Sequence, residues 1–467
     1  MNRQRHTFEP SIVRRLWSMP LLAGFLLLLL TACGQPAQTS TPDPTSTATA
    51  AATATTTQAG PAGSPTPAIG GTVRLWLDWN PAELEALESV INSYRQIHPG
   101  TKFELIYLPS DRLRPAFETA AANGEGPSLL VGPSSWGLVM HEAGLLRDVG
   151  PLVLPELADA VHRLAWQQVA LGDLVAGLPF ELRGTVLYRN TLIAAQPADT
   201  VEALLNEAAE ARLTGLAGAV LDLGFDRAAP FLHTCKGQLV TDERVDPIER
   251  PAGLCWLRLL DRLGSAGRPT LNTDEDRQAF AAGDSVWLID STEAMNELVT
   301  ALGEGAIAID RWPLYEATGE ALSGYVWTEN LYFPAAASDG DFEAAWSFAV
   351  YLLSPEVQRR LSENPAVRHL PVIPAVEPAD ALLLQAARAF DMGQRLPDPR
   401  PLEDIVPHLS TAIRLVVSQG GDPELALELA LEEIRKARIP TATPTRTPAP
   451  TLTPTTTPTA PPTPPPG

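Results

Sequence analysis

The stretch that decides the fold is Gly71–Gly100, with the sequence GTVRLWLDWNPAELEALESVINSYRQIHPG. Its first part, Thr72 to Leu77, is rich in β-branched and apolar residues, which predicts a buried strand. In its second part, apolar residues recur at spacings of three and four, which predicts one face of an amphipathic helix. These apolar residues are Leu84, Leu87, Ile91 and Tyr94. The stretch therefore predicts a strand that is followed directly by a helix.

The residues between this strand and this helix are Asp78, Trp79 and Asn80. Asn80 followed by Pro81 is typical of a helix start, because the amide can cap free N–H groups and proline has no N–H to satisfy there. In open α/β sheets, ligands bind at the carboxyl ends of the strands. We therefore expect a ligand site at this junction, although an ordinary strand-to-helix turn has the same sequence features.

Length and charge limit the possible functions. The chain has 467 residues, enough for two lobes of ordinary domain size. Its formal net charge is −21, which argues against nucleic acid or an anionic membrane surface as an electrostatic partner.

The first 33 residues have the features of a targeting segment. A positively charged start precedes the apolar run Leu21–Leu30, which is too short to span a bilayer. The run ends in Leu-Thr-Ala-Cys-Gly and resembles the bacterial lipoprotein signal, whose cysteine becomes the lipidated N-terminus. The resemblance implies that residues 1–33 are a signal peptide ending at lipidated Cys33, which would anchor the protein to the outer face of the cell membrane, at the cell surface or in the periplasm. A plain secretory signal with an incidental cysteine is the alternative.

Two segments are poor in large apolar residues and rich in Thr and Pro. They are residues 34–69 and 439–467. Such composition cannot bury enough surface to offset the entropy of ordering, so we expect both to be disordered, the first as a linker and the second as a tail.

Cys235 and Cys255 are the remaining cysteines. An even pair in an exported protein favours a disulfide, which would close a loop of roughly twenty residues and stabilise by about 3 kcal/mol. Spacing alone does not show that the two are close, so two free thiols stay an alternative.

The body of the chain alternates predicted strands and helices, which is typical of a parallel, doubly wound sheet. Several stretches, in order, resemble the extracellular solute-binding proteins of bacterial ABC importers, in the branch that includes maltose-binding protein. They are AANGEGPSLL (121–130), EAGLLRDV (142–149), GDLVAGLPF (172–180), TVLYRN (185–190), AFAAGDSVWLI (279–289) and AAWSFAVYLLSPEV (344–357).

The resemblance covers about residues 71–438 and implies a two-lobed periplasmic-binding-protein fold of type II. In this fold each lobe is a mostly parallel sheet flanked by helices. The implied N-terminal lobe comprises residues 70–179 plus 290–328, and the C-terminal lobe 180–289 plus 329–438. Crossings between the lobes are expected near Pro179–Arg183, Ile289–Ser291 and Trp327–Phe333.

The chain departs from the family pattern at three places. Ser128 replaces the usual Asp, Arg189 stands where Tyr is frequent, and Asp290-Ser291-Thr292 replaces a frequent Gly-Pro-Trp. The last change weakens any inference about ligand preference from that loop.

Signals of metal binding and catalysis are weak. The seven histidines are scattered without metal-ligand spacing, and the nucleophile-elbow and phosphate-loop patterns do not occur. We therefore predict no catalytic residue, no metal, no cofactor and no enzyme activity.

Aromatic and planar polar side chains at the predicted lobe edges are the candidates for binding sugars, which present apolar faces and rings of hydroxyls. The predicted ligand-binding residues are Trp79, Asn80, Ser134, Ser135, Trp136, Glu181, Arg183, Asp290, Ser291, Trp327 and Glu329. Core packing is the alternative for each tryptophan, and a structural ion pair is the alternative for Glu181 with Arg183.

Together these features predict a lipid-anchored, extracytoplasmic solute-binding protein. Its expected ligand is a small polar solute, most simply a sugar or oligosaccharide, and its expected partners are the permease subunits of an ABC transporter. We expect a monomer that binds no nucleic acid. The alternative is a ligand sensor or surface-adhesion lipoprotein that has the same fold and serves no transporter.

Overall fold

The computed structural model describes residues 69–438, except 241, 243, 244, 272 and 399. The predictions for the signal peptide with Cys33, and for most of the N-terminal linker and the whole C-terminal tail, lie outside the described residues.

Most strands belong to one large sheet. The strands are β1 (Gly71–Leu77), β2 (Thr101–Tyr107), β3 (Leu129–Pro133), β4 (Ala170–Leu171), β5 (Leu174–Val175), β6 (Gly177–Asn190), β7 (Gly218–Leu221), β8 (Ser285–Ser291), β9 (Ile307–Asp310), β10 (Leu314–Tyr315), β11 (Glu320–Ala321), β12 (Tyr325–Tyr332) and β13 (Gln394–Arg395). The order in the large sheet is β2-β1-β3-β12-β6-β8-β7, with β13 beside β12 and β9 beside β6.

Helices flank this sheet. They are α1 (Pro81–Ile97), α2 (Ser110–Ala122), α3 (Gly137–Glu142), α4 (Pro155–Ala160), α5 (Arg163–Val169), α6 (Val201–Leu213), α7 (Phe225–Ala228), α8 (Phe231–Thr234), α9 (Arg250–Gly264), α10 (Thr273–Ala281), α11 (Met295–Leu302), α12 (Asp339–Leu352), α13 (Pro355–Ser362), α14 (Ala381–Phe390), α15 (Val406–Gln419) and α16 (Pro423–Ala437). Within the described ranges, none of them combines the length and the apolar character that a bilayer crossing requires.

The strand and helix predicted from the opening stretch are β1 and α1. The buried face of α1 contains Leu87, Ile91 and Tyr94, as the apolar spacing predicts. Asn80 caps the helix: its Oδ1 accepts hydrogen bonds from the N–H groups of Ala82 and Glu83, at 2.9 and 3.1 Å. The helix therefore starts where the sequence places it, because the cap and the following proline satisfy the first turn.

The long strand β6 joins two halves of the sheet. Its first part, Gly177 to Gly184, pairs with β12, which also pairs with β3. Its second part, Thr185 to Asn190, pairs with β8 and β9. The sheet is parallel between β1 and β2, β1 and β3, β7 and β8, and β12 and β13. Strand β6 is antiparallel to β8, β9 and β12, and β12 is antiparallel to β3. The predicted α/β class, a large sheet flanked by helices, is confirmed.

Two segments lie on a different half of the sheet from the one predicted. Helix α12 packs on β1, where Arg74 Nη2 lies 3.0 Å from Asp341 Oδ2, so residues 339–352 do not lie with 180–289. Strand β9 pairs with β6 at Leu187 to Asn190, so residues 307–310 do not lie with 70–179. The reason is the direction of the last crossing: β12 ends beside β3, which delivers the following helix to the first half.

The buried apolar residues form two large clusters. One contains Val73 of the first half together with Leu288 of the second, and the other lies in the second half and contains Trp256. Cys235, at the end of α8, forms a disulfide with Cys255 of α9, with their Cα atoms 5.8 Å apart. This bond ties two helices of the second half together.

Candidate functional site

A cavity of about 210 Å³ surrounds Arg183 on the crossing strand β6. Three parts of the fold line this Arg183 cavity: the β1–α1 junction, strand β6, and the turn and helix α11 that follow β8. Segment 367–370 and helix α14 also line it. The lining residues are Asp78, Trp79, Glu83, Glu181, Leu182, Arg183, Thr292, Glu293, Met295, Asn296, Val367, Arg368, Leu370 and Leu383. Both halves of the sheet thus contribute to one cavity.

Arg183 is the centre of an ionic network in the cavity. Its Nη2 lies 3.0 Å from Glu181 Oε2, and its Nη1 lies 2.8 Å from Glu293 Oε1 and 3.4 Å from Glu329 Oε1. Glu181 and Glu329 stand on the paired strands β6 and β12, whereas Glu293 follows β8. One guanidinium therefore connects both crossing strands with the second half of the sheet.

Glu329 is the most buried carboxyl of this network, with a side chain that is 5% exposed. Burial raises its pKa to about 8, and the nearby Arg183 guanidinium lowers it without cancelling that effect. Its Oε2 has no hydrogen-bond partner among the described residues. At neutral pH the protonated form of Glu329 therefore predominates, which reduces the cost of burying it.

Trp79 forms an apolar wall of the cavity. It is 4% exposed, and its ring stacks on Phe180 with the centroids 5.7 Å apart. The indole Nε1 is buried and makes no hydrogen bond to any described residue. A buried donor without a partner is costly, so a ligand acceptor at this position would stabilise the site.

Two carboxylates at the β1–α1 junction also line the cavity. Asp78 Oδ2 accepts a hydrogen bond from Ser110 Oγ at 2.5 Å, and Glu83 Oε2 accepts one from the Asn80 backbone N–H at 2.7 Å. Burial raises the pKa of Glu83, and the backbone hydrogen bond from Asn80 opposes that effect. Neither carboxylate has a lysine, arginine or histidine within ion-pair distance in the part of the chain that the structure describes.

Arg368 holds the opposite side of the cavity. Its backbone is left-handed, with φ at 48°, a conformation that favours glycine. Its guanidinium lies 3.0 Å from Asp380 and 3.1 Å from Glu304, and Nη1 donates to Asn296 Oδ1 at 2.8 Å. These contacts hold an otherwise unfavourable backbone conformation in place.

Of the predicted ligand-binding residues, Trp79, Glu181 and Arg183 line the cavity, and Glu329 contacts Arg183. Asn80 has a structural role as the cap of α1. The functional prediction for each of them stays a prediction.

The structure places the other predicted residues elsewhere. Ser134 and Ser135 line a separate cavity of about 50 Å³ together with Arg395 and Asp398. The Trp136 ring lies so close to Gly132 that a Cβ on that glycine would overlap it. Trp327 pairs with Arg183 across the strands and packs on the apolar cluster of the second half.

Asp290 and Ser291 are buried and do not line the cavity. The Asp290 side chain has no exposed surface; Arg277 Nε lies 2.7 Å from its Oδ2, and Arg227 Nη2 lies 3.5 Å from its Oδ1. Ser291 is 2% exposed, and its hydroxyl lies 3.3 Å from Glu293 Oε2. Their environment is that of a structural ion cluster that supports the turn carrying Glu293.

Sequence reasoning missed several lining residues, chiefly Asp78, Glu83, Glu293, Asn296 and Arg368. Two of them had a usable signal: Glu83 occupies the third position of a capped helix, and Glu293 follows the second crossing directly. Arg368 had none, because only tertiary packing brings segment 367–370 to this place. Among the described residues, no three His, Cys, Asp or Glu side chains are grouped so as to hold a metal ion.

The chain belongs to a family of bacterial extracellular solute-binding proteins, whose family model matches residues 89–389. Members of this family are binding proteins, so the predictions of the family and of a protein without enzyme activity are confirmed.

Solved structures share the fold at low sequence identity. The GacH receptor of Streptomyces glaucescens GLA.O, studied unliganded and with acarbose, is 18% identical with a TM-score of 0.63, over 79% of this chain and 97% of that one. A cyclic α-maltosyl-1,6-maltose binding protein from Arthrobacter globiformis is 16% identical with a TM-score of 0.67, over 79% and 99%. A maltose/maltodextrin-binding domain, MalE, from Bdellovibrio bacteriovorus, bound to maltotriose, is 19% identical with a TM-score of 0.61, over 78% and 99%.

A curated relative is similar over a shorter stretch. It is an uncharacterized lipoprotein encoded in the oleD 5′ region of Streptomyces antibioticus, 27% identical over 104 residues. The match spans 22% of this chain and 23% of the relative's length.

Proposed function

We propose that this protein captures a small polar solute, most simply a sugar, in the Arg183 cavity and delivers it to an ABC permease. The proposal rests on one observation: a single cavity is lined by the β1–α1 junction, by the crossing strand β6 and by the segment after β8. A ligand there touches both halves of the sheet at once. It would therefore favour a closed arrangement of two lobes, because it gains all its contacts only there.

The chemistry of the lining supports a polyol as the ligand. Carboxylates, guanidinium groups and the Asn296 amide offer planar donors and acceptors for hydroxyl groups, while the Trp79 ring offers an apolar face. The related structures with acarbose and maltotriose are consistent with this class of ligand.

The size of the cavity favours a small sugar. Its volume of about 210 Å³ is below the roughly 300–1,000 Å³ of ordinary small-molecule sites. A mono- or disaccharide is therefore the better candidate for the arrangement that the structure describes, and a longer chain would require a wider opening.

Isothermal titration of the purified protein against neutral sugars, amino sugars, polyols and short peptides tests the binding. We expect saturable binding of at least one sugar with one site per chain, and its loss in Arg183→Gln. A folded protein that binds none of the sugars would contradict the proposal.

The cellular location of the protein and its partnership with an ABC permease require separate tests. Acylation at Cys33 would hold the protein on the outer face of the membrane, so Cys33→Ser should move it from the membrane fraction to the soluble extracytoplasmic fraction. Deletion of the gene should abolish uptake of the identified sugar. Uptake that persists without the protein, despite tight binding in vitro, would instead favour a sensor or adhesion protein.

A further inference from the structure

We infer that the ligand of the Arg183 cavity carries a protonated amino group, as an amino sugar does. This inference rests on the proposed function and specifies its ligand. It starts from the charges that line the cavity: four carboxylates, on Asp78, Glu83, Glu181 and Glu293, and two guanidinium groups, on Arg183 and Arg368.

The two guanidinium groups are already engaged by acidic side chains. Arg183 lies within 3.4 Å of Glu181, Glu293 and Glu329, and Arg368 lies within 3.1 Å of Glu304 and Asp380. Neither lies within ion-pair distance of the carboxylates of the β1–α1 junction, and Arg183 lowers the pKa of Glu83 by less than Glu181 raises it.

Asp78 and Glu83 are therefore the unbalanced charges. Both line the cavity, both are only partly exposed, and no basic side chain among the described residues lies within ion-pair distance of either. Covering them with a neutral ligand would desolvate negative charge without compensating it. A ligand ammonium placed between them would supply the missing charge and charge-assisted hydrogen bonds.

Trp79 lies between these two carboxylates in the chain and is a second, independent pointer to a ligand. It lines the same cavity, is 4% exposed, and has a buried indole N–H without a partner in the described part of the chain. This donor requires an acceptor, which a sugar hydroxyl provides and an ammonium does not. The cavity is therefore complementary to a ligand that carries both a positive charge and uncharged oxygen atoms.

The test compares matched sugars that differ at one group. Titration with glucosamine, glucose and N-acetylglucosamine, and with the galactose counterparts, keeps the hydroxyls nearly constant while the amino group is charged, absent or acylated. We expect the amino sugar to bind about ten- to a hundredfold more tightly than its neutral counterparts, the range of a charge-assisted hydrogen bond. The preference should shrink as salt is raised, because ionic attraction is screened.

Variants test whether the preference for the amino sugar arises from the carboxylates of the β1–α1 junction. Glu83→Gln keeps the capping box, which accepts glutamine at this position, and removes the charge. It should reduce the preference for the amino sugar, taken as the ratio of the amino-sugar and neutral-sugar affinities of the same variant, at least about fivefold. The matched control is Glu88→Gln, an exposed residue of the same helix that does not line the cavity, which should keep the full preference.

The outcomes separate this inference from the proposed function. Equal binding of amino and neutral sugars, or a preference that Glu83→Gln does not change, overturns the inference and leaves sugar binding intact. Failure of every sugar in the panel to bind a folded protein overturns both.

Discussion

Arg183 Nη1 lies 2.8 Å from Glu293 Oε1 and so ties the crossing strand β6 to the turn that follows β8. The Arg183 side chain is 19% exposed and that of Glu293 49%, so solvent still reaches one end of the pair. An ion pair of this kind, open at one end, can exchange its partner for a ligand. It therefore connects the two halves at the place where we propose that a ligand joins them.

Removal of the Arg183 charge should destabilise the fold. Arg183→Gln would leave the largely buried Glu181 carboxyl without its cation, and breaking a buried network in this way costs about 3–5 kcal/mol. Because Glu181 and Arg183 keep partial contact with solvent, we expect a smaller loss than this, about 2–3 kcal/mol, in urea unfolding. The double variant Arg183→Gln with Glu181→Gln should recover part of this loss, because it also removes the carboxyl that has lost its cation. A double variant that is less stable than the single one would contradict this account.

The buried carboxyl of Glu329 should produce a pH dependence of stability. Its pKa of about 8 in the folded protein is raised above its ordinary value of 4.5, so the folded state holds a proton that the unfolded state releases. Stability from this group is complete below pH 4.5 and is lost as the pH rises through about 8.

Comparison with Glu329→Gln isolates the effect. The free energy of unfolding of the wild type should fall relative to that of the variant by up to about 1.4 kcal/mol per pH unit between pH 5 and 8. Asp276, whose pKa burial raises to about 7, contributes a similar slope to both proteins, so it cancels in the difference. If the free energies of unfolding of the two proteins depend on pH in the same way, the pKa of Glu329 is not raised in the folded protein.

Local sequence was sufficient for elements with strong periodicity and caps. Strand β1, helix α1 and the Asn80 cap follow from apolar spacing and helix-start chemistry, which act within a few residues. The position of α12 did not follow, because it depends on which way β12 runs between the halves. That direction is set by the pairing of Tyr332 with Leu130, two residues about 200 positions apart.

Four of the predicted binding residues lie at one place in the structure. Glu181 and Arg183 line the cavity and Glu329 contacts Arg183 because β6 pairs with β12, and Trp79 lines the cavity at the β1–α1 junction; their role in binding stays a prediction. Asp290 does not line the cavity, since a polar residue at the end of a crossing strand can also be buried, and here Arg277 Nε lies 2.7 Å from its Oδ2. The position of Arg368 in the cavity lining could not be predicted from the sequence, because it depends on contacts with Asn296 and Asp380 from other segments.

Loss of the disulfide should lower stability without altering the cavity. Cys235 and Cys255 close a loop of sequence separation 20 in the second half and line no part of the Arg183 cavity. Replacing both with serine should cost about 3 kcal/mol in urea unfolding, from the greater entropy of the open unfolded chain. Ligand affinity measured well below the unfolding transition should stay within about twofold. Two titratable thiols in the denatured, unreduced wild type would show that the bond is absent.

The sequence predicts Trp79 and Trp136 equally as ligand-binding residues, and binding measurements on variants should show which of them contacts the ligand. Trp79→Phe keeps an aromatic ring against Phe180 but removes the buried indole N–H, which has no partner among the described residues and which we propose donates to the ligand. We expect about three- to tenfold weaker binding of the sugar identified by titration, the effect of one lost hydrogen bond of about 1 kcal/mol. Trp136→Phe is the matched control, because the Trp136 ring packs against Gly132 and lies outside the cavity lining, so its affinity should not change. Weaker binding in Trp136→Phe together with an unchanged Trp79→Phe would place the ligand at the end of β3 instead of at the end of β1.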